Sequence, residues 1–81
     1  MKIRPIDKML LVVERAADAR GLVIEEDTNY MWLCVKLSDW DFGVEPTPDE
    51  RLRSCELLRE LFKRFELDFE QTLRNLILSE L

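Results

Sequence analysis

The sequence predicts an α+β fold in which a small antiparallel β-hairpin packs on three helices, in the order α-β-β-α-α. Apolar residues recur at helical spacing in three segments, and two of these segments open with capping signals. A central segment, Leu22–Leu37, is instead rich in β-branched and aromatic residues, which favour strands. With 81 residues, the chain is expected to form a single compact domain, residues 1–81.

The first helix is predicted over residues 5–20. Pro5 suits its first turn, where the missing N–H costs nothing, and Gly21 is a stop signal just past its end. The residues of its apolar stripe are Ile6, Met9, Leu10, Val13, Ala16 and Ala17. Leu11 and Val12 fall off this stripe, so they either widen the buried face or are partly exposed.

A β-hairpin is predicted next, with strands at Leu22–Glu26 and Tyr30–Leu37. The residues between the strands, Asp27–Asn29, tolerate the backbone geometry of a turn. The second strand carries apolar residues on both faces, so we expect it to be covered on one side and half covered on the other. Lys2–Arg4 could add a third strand at the edge.

Two further helices form a predicted C-terminal αα-hairpin. The segment Thr47–Glu50 reads as a capping box, with Thr at the N-cap, Pro at the first helical position and Glu reaching back, and it opens a helix over residues 48–65. Asp68 with Gln71 gives a second capping signal, for a helix over residues 69–80. Because so few residues separate the two helices, they are expected to pack as neighbours.

The charge pattern bears on partners and location. The net charge is −5, and residues 21–50 alone hold one basic and eight acidic side chains. Such a field repels nucleic-acid phosphates and favours a basic protein partner. No apolar run approaches the ~18 residues of a membrane span, and the N-terminus lacks the features of a signal peptide. We therefore expect a cytoplasmic protein with no membrane contact.

The sequence contains few residues suited to catalysis or to metal binding. The chain has no histidine and two cysteines, Cys34 and Cys55. Zinc needs about four ligands, so no metal site is predicted, and no cofactor site either. A cysteine nucleophile needs a base beside it, and both cysteines are expected to be buried structural residues. The sequence therefore predicts a protein that is not an enzyme.

The segment SDWDFGVEPTPDE, residues 38–50, carries the predicted binding site. It includes the tripeptide Asp-Phe-Gly of kinases, but the chain is too short for the other kinase motifs, and the spacing of its acids does not fit an EF-hand calcium loop. The aromatic residues are either plugs that seal the core or exposed anchors within an acidic rim. The predicted partner-binding residues are Trp40, Phe42, Asp39, Asp41 and Glu45.

The function predicted by this elimination is that of a small non-catalytic protein-binding regulator. As an adaptor or inhibitor, it would dock on or occlude the basic surface of another protein, such as a nucleic-acid-binding protein. One alternative is a helix-turn-helix DNA-binding regulator that reads bases with Gln71, Arg74 and Asn75 of the last helix. Another is a structural homodimer with Leu11 and Val12 in its interface.

Overall fold

The fold consists of four α-helices over residues 4–79, which are the residues described by this computed structural model. The helices, in chain order, are α1 (Pro5–Ala19), α2 (Thr28–Asp41), α3 (Pro48–Arg64) and α4 (Phe69–Ser79). A single 3-10 turn, Ile24–Glu26, precedes α2. No strand occurs within residues 4–79.

The predicted α+β fold with its β-hairpin is therefore wrong, since the described chain is all helical. The expected first strand, Leu22–Glu26, contains the 3-10 turn, and the expected second strand, Tyr30–Leu37, lies within α2. Asp27 is not a hairpin turn residue but the N-cap of α2, because its carboxylate accepts a hydrogen bond of 3.0 Å from the Tyr30 amide. Arg4 is the N-cap of α1, and the rest of the expected edge strand, Lys2 and Ile3, lies outside the described residues.

The three predicted helices are present, and their starts follow the predicted caps. Thr47 accepts a hydrogen bond of 3.1 Å from the Glu50 amide, and the Glu50 carboxylate accepts one of 2.9 Å from the Thr47 amide. The Asp68 carboxylate accepts a hydrogen bond of 3.0 Å from the Gln71 amide at the start of α4. These local signals are strong because each satisfies backbone N–H groups that a helix leaves without partners.

Helices α1, α2 and α3 end in the same way, with a left-handed residue after the C-cap. These residues are Gly21, Gly43 and Glu66, with φ of 68°, 95° and 56°. After α2, the Gly43 amide donates to the Trp40 carbonyl at 3.2 Å and the Val44 amide donates to the Asp39 carbonyl at 3.1 Å, a Schellman motif. The Asp-Phe-Gly tripeptide is thus the end of a helix.

Helix α3 lies at the centre and packs against the other three helices. Its Phe62 is almost fully buried and meets the ring of Phe69 edge to face, with 5.3 Å between the ring centroids. The buried apolar residues are Met9, Leu10, Val13, Ala17, Ile24, Leu33, Leu37, Leu57, Leu58, Leu61, Phe62 and Phe65. Helix α2 runs antiparallel to α3, because Asp27 pairs with Arg64 and Lys36 pairs with Glu50. Consequently one face of α2 is buried on α3 and the opposite face is turned to solvent.

Candidate docking face on helix α2

The solvent face of α2 carries an uncharged row of side chains, which we call the outer stripe: Met31, Val35, Ser38 and Phe42. These positions follow one another at intervals of three or four residues, so they lie on the same side of the helix. Met31, Val35 and Phe42 are 51%, 60% and 87% exposed. At 1.5 Å per residue the stripe is about 16 Å long. Because large exposed apolar patches are typical of interaction sites, this row is a candidate docking face.

Phe42 is the most exposed of the large apolar side chains among the described residues. It is the C-cap of α2, and its amide donates to the carbonyls of Ser38 and Asp39 at 3.2 Å each, so the backbone beneath the ring is fixed. Val44, two residues later, is also exposed. Aromatic side chains, Phe included, and Met are enriched in protein interfaces relative to the rest of the surface.

Trp40 is placed differently from Phe42, although both lie in the predicted binding segment. It is half-buried and packs against the core. Its indole Nε1 is buried and has no hydrogen-bond partner among the described residues. Beside it lies a shallow depression of about 310 Å³ that Arg4, Ile6 and Pro46 help to line. Trp40 is thus packed on the core as a plug would be, whereas Phe42 is exposed, and its role as an anchor stays a prediction.

The three predicted acids differ in how far their charges remain available. The Asp41 carboxylate lies 2.9 Å from the guanidinium of Arg4, which also pairs with Asp7 at 3.1 Å, so the charge of Asp41 is offset only in part. Glu45 is exposed and Asp39 is half-buried, and neither forms an ion pair within residues 4–79. Two of the three acids therefore leave negative charge at the Phe42 end of the stripe.

A second acidic group, not predicted from the sequence, lies before the other end of the stripe. Glu25 and Glu26 are exposed in the 3-10 turn that precedes α2. Met31 and Val35 were also missed as site residues, because a strand reading places them on a buried face. Reading residues 28–41 as a helix would have found both, since their spacing from Phe42 is helical.

The one cationic side chain of α2, Lys36, is paired within the chain. The Lys36 ammonium lies 2.6 Å from the Glu50 carboxylate and 5.6 Å from the centroid of the Trp32 ring. Its hydrogen bond, followed by that from the Thr47 amide, lowers the pKa of Glu50 to about 2. The pair is thus ionised throughout the neutral range, and Lys36 adds no net positive charge beside the stripe.

The residues of the two alternative functions lie on α4 and α1, not on α2. The Gln71 amide nitrogen donates to the Asn75 amide oxygen at 2.9 Å, so two of the three proposed base-reading side chains bond to each other. Arg74 is exposed. Leu11 is 45% exposed, whereas Val12 is half-buried against the core. None of these positions adjoins α2 in the sequence.

The two cysteines depart from the expected burial. Cys55 is exposed on α3, so the prediction that it is a core residue is wrong, and Cys34 is half-buried on α2. Burial raises the pKa of the Cys34 thiol. Burial, and then the hydrogen bond of 2.5 Å that its hydroxyl donates to Glu14, also raises the pKa of Tyr30. Both groups keep their protons at neutral pH, which does not favour a nucleophile.

Three further observations bear on function. Between residues 4 and 79, no three His, Cys, Asp or Glu side chains are grouped so that they could hold a metal ion. Over the same residues no helix has the length and apolar character needed to cross a membrane. Comparisons of the chain with family models, with curated proteins and with solved structures found no match.

Proposed function

We propose that the chain is a non-catalytic protein-binding regulator, an adaptor or an inhibitor, whose docking face is the outer stripe of α2. The observation that supports this proposal is the exposed Phe42 ring at the end of an uncharged row on a rigid helix. An isolated exposed apolar residue needs no explanation, but three exposed apolar residues on one helix face, interrupted only by Ser38, are unusual.

Burial energies indicate the strength of such an interface. Fully burying a side chain of the size of Met31, Val35 or Phe42 is worth about 1.5–3 kcal/mol. Met31 and Val35 are already about half covered, so burying the exposed parts of the three side chains gains only roughly 3–6 kcal/mol, at the low end of the roughly 4–15 kcal/mol that association costs. The stripe alone therefore supports a reversible contact, and contacts at its margins have to supply the rest.

The partner that we propose is a protein with a basic surface. Acids without an ion pair flank the stripe along the chain, Glu25 and Glu26 in the turn before α2 and Asp39 and Glu45 on either side of Phe42. Such charges accelerate the encounter with a cationic surface and repel nucleic-acid phosphates. We also propose a cytoplasmic location, which the two free cysteines support.

The experiment that tests this proposal is an affinity pull-down from a lysate of the native host with the wild type, Phe42→Ser and a control. Leu52→Ser is the matched control, because Leu52 is 62% exposed and, at 100° per residue, lies on the side of α3 opposite Glu50, which faces α2. We expect one stoichiometric protein partner with the wild type and with Leu52→Ser. With Phe42→Ser the affinity for the purified partner should fall at least about tenfold, or ~1.4 kcal/mol.

Folding is checked in parallel by the circular dichroism of each variant. Phe42→Ser is preferred to a double variant that also replaces Trp40, because Trp40 packs against the core and its loss would unsettle the fold. A partner that binds Phe42→Ser as tightly as the wild type, with both proteins folded, would show that the outer stripe is not the docking face.

A further inference from the structure

We infer that the segment which docks on the outer stripe is a basic amphipathic helix of about three turns, with apolar side chains at helical spacing and Lys or Arg at both ends. The inference rests on the proposed function and adds the partner's secondary structure and charge pattern. Three observations support it: the length of the stripe, its shape and the acids that flank it.

The length of the stripe sets the length of the partner segment. From Met31 to Phe42 the row extends about 16 Å, which is about three turns of an α-helix. A helix that presents apolar residues at i, i+4, i+7 and i+11 matches this row along its whole length. Shorter segments would leave either Met31 or Phe42 in water.

The shape of the stripe selects a helix over an extended segment. An added β-strand needs an exposed sheet edge, and residues 4–79 contain no strand. A polyproline segment needs a groove lined by aromatic side chains, whereas Phe42 is the one aromatic of a row on a convex face. Two helices, in contrast, pack by fitting the ridges of one into the grooves of the other.

The negative charges that flank the stripe favour a basic partner. The acids beyond the Met31 end are Glu25 and Glu26, and those at the Phe42 end include Asp39 and Glu45. None of these four forms an ion pair within the described residues. Cations at both ends of a docked helix would meet an opposite charge, and the uncharged centre of the stripe would meet apolar side chains.

The same charges argue against a second copy of this chain as the occupant. Two α2 helices packed antiparallel would place Glu25 and Glu26 of one copy beside Asp39 and Glu45 of the other. Packed parallel, they would place identical acids side by side. In both arrangements carboxylates face carboxylates, and each copy also carries a net charge of −5. A membrane with anionic headgroups is repelled for the same reason.

Three synthetic helical peptides of about 18 residues test the inference. All share an Ala- and Gln-rich helix, and the first has Leu at i, i+4, i+7 and i+11 with Lys and Arg at both ends. The second replaces the cations by Glu, and the third keeps the cations but replaces the Leu residues by Ser. Fluorescence anisotropy measures the binding of each peptide to the wild type, Phe42→Ser and Leu52→Ser.

We expect the first peptide to bind the wild type and Leu52→Ser alike, with at least about tenfold weaker binding to Phe42→Ser. The second and third peptides should each bind the wild type at least about tenfold more weakly than the first. The affinity of the first peptide should also fall as salt rises from about 50 to about 300 mM, because part of it is electrostatic.

The possible failures are distinguishable from failure of the proposed function. Equal binding of the first two peptides, or no binding of the first, overturns the inference. If the pull-down partner nevertheless depends on Phe42, the docking face stands and only its assigned occupant is wrong. A dimer in sedimentation that Phe42→Ser dissociates would make a second copy the occupant and would likewise overturn the inference.

Discussion

Glu66 has a left-handed backbone conformation, which is unfavourable for a residue with a side chain. It follows the C-cap of α3 with φ of 56°, the one positive φ of a non-glycine residue within residues 4–79. Its amide donates to the Lys63 carbonyl at 3.1 Å, and the Leu67 amide donates to the Phe62 carbonyl at 2.8 Å. A left-handed conformation is costly for a residue with a Cβ, and a carboxylate at the negative end of the helix dipole adds to that cost.

We therefore expect Glu66→Gly to raise the free energy of unfolding by about 0.5–1 kcal/mol. Glycine relieves the backbone strain, although its greater freedom in the unfolded chain offsets part of the gain. Urea denaturation measures the change. Glu66→Ala serves as the control, since it removes the charge but keeps the Cβ. If alanine stabilises as much as glycine, the gain comes from the charge and not from the backbone.

Glu50 links stability to pH. Its pKa is lowered in the folded chain from 4.5 to about 2, first by the hydrogen bond from Lys36 and then by that from the Thr47 amide. A lowered folded-state pKa contributes stability that is present above about 4.5 and is lost as the pH falls towards about 2. We expect the wild type to be more stable than Glu50→Gln at pH about 6 and this difference to shrink below pH about 4.5.

Urea denaturation of both proteins at a series of pH values tests this dependence. Glu45→Gln is the control, because Glu45 is exposed and forms no ion pair within the described residues. Its stability relative to the wild type should change less with pH. A difference between wild type and Glu50→Gln that stays constant from pH about 6 to about 3 would contradict the prediction.

At the scale of the elements, the start of α2 depends on Asp27. One carboxylate oxygen accepts the hydrogen bond from the Tyr30 amide at 3.0 Å, and the other pairs with the Arg64 guanidinium of α3. The side chain is 15% exposed, so both contacts are partly shielded from solvent. We expect Asp27→Ala to lower the free energy of unfolding by about 1–2 kcal/mol, from the lost cap and the lost pair together.

Asp27→Asn separates these two contributions, because asparagine keeps a cap acceptor and loses the charge. It should cost less than half as much as Asp27→Ala in urea denaturation. Equal losses for the two variants would mean that the ion pair with Arg64, and not the cap, starts the helix.

Sequence reasoning found α1, α3 and α4 because their boundaries are set by local chemistry. Pro5, the capping box at Thr47 and the cap at Asp68 each satisfy or avoid helix-end N–H groups within a few residues. It missed α2 because that helix is apolar on its outer face as well as its inner one, and such a segment fits a strand equally well. Asp27 was the available signal, since Asp serves turns and N-caps alike.

The candidate site was predictable only in part. Phe42 was identified from its place among acids, but its exposure depends on which side of α2 faces α3. Asp41 forms an ion pair with Arg4, which is far from it in the chain. No local pattern in the sequence encodes such a pair. Met31 and Val35 became visible as site residues only once the helical period was known.

At the scale of the whole molecule, an ion pair joins each helix to the next along the chain. Arg4 at the start of α1 pairs with Asp41 of α2, and Lys36 of α2 pairs with Glu50 of α3. The α3–α4 pair is Arg59 with Glu70, at 2.7 Å. Their side chains are 24–62% exposed, so solvent screens each pair and each adds little to stability. These pairs engage acids and cations that lie between the helices. The acids beside the outer stripe form no such pair.

The short connections between the helices have a consequence for kinetics. Residues 20–27 join α1 to α2, residues 42–47 join α2 to α3, and residues 65–68 join α3 to α4. Helices α2 and α3, and then α3 and α4, are therefore neighbours both in the chain and in space, and little loop-closure entropy opposes their docking. Helix α1 instead packs on α3 and α4, so its docking closes a longer loop, whose entropy cost grows only slowly with length. Because small helical proteins fold in microseconds to milliseconds, we expect one phase complete within about 10 ms in stopped-flow refolding followed by tryptophan fluorescence, and a dominant phase of seconds would contradict this prediction.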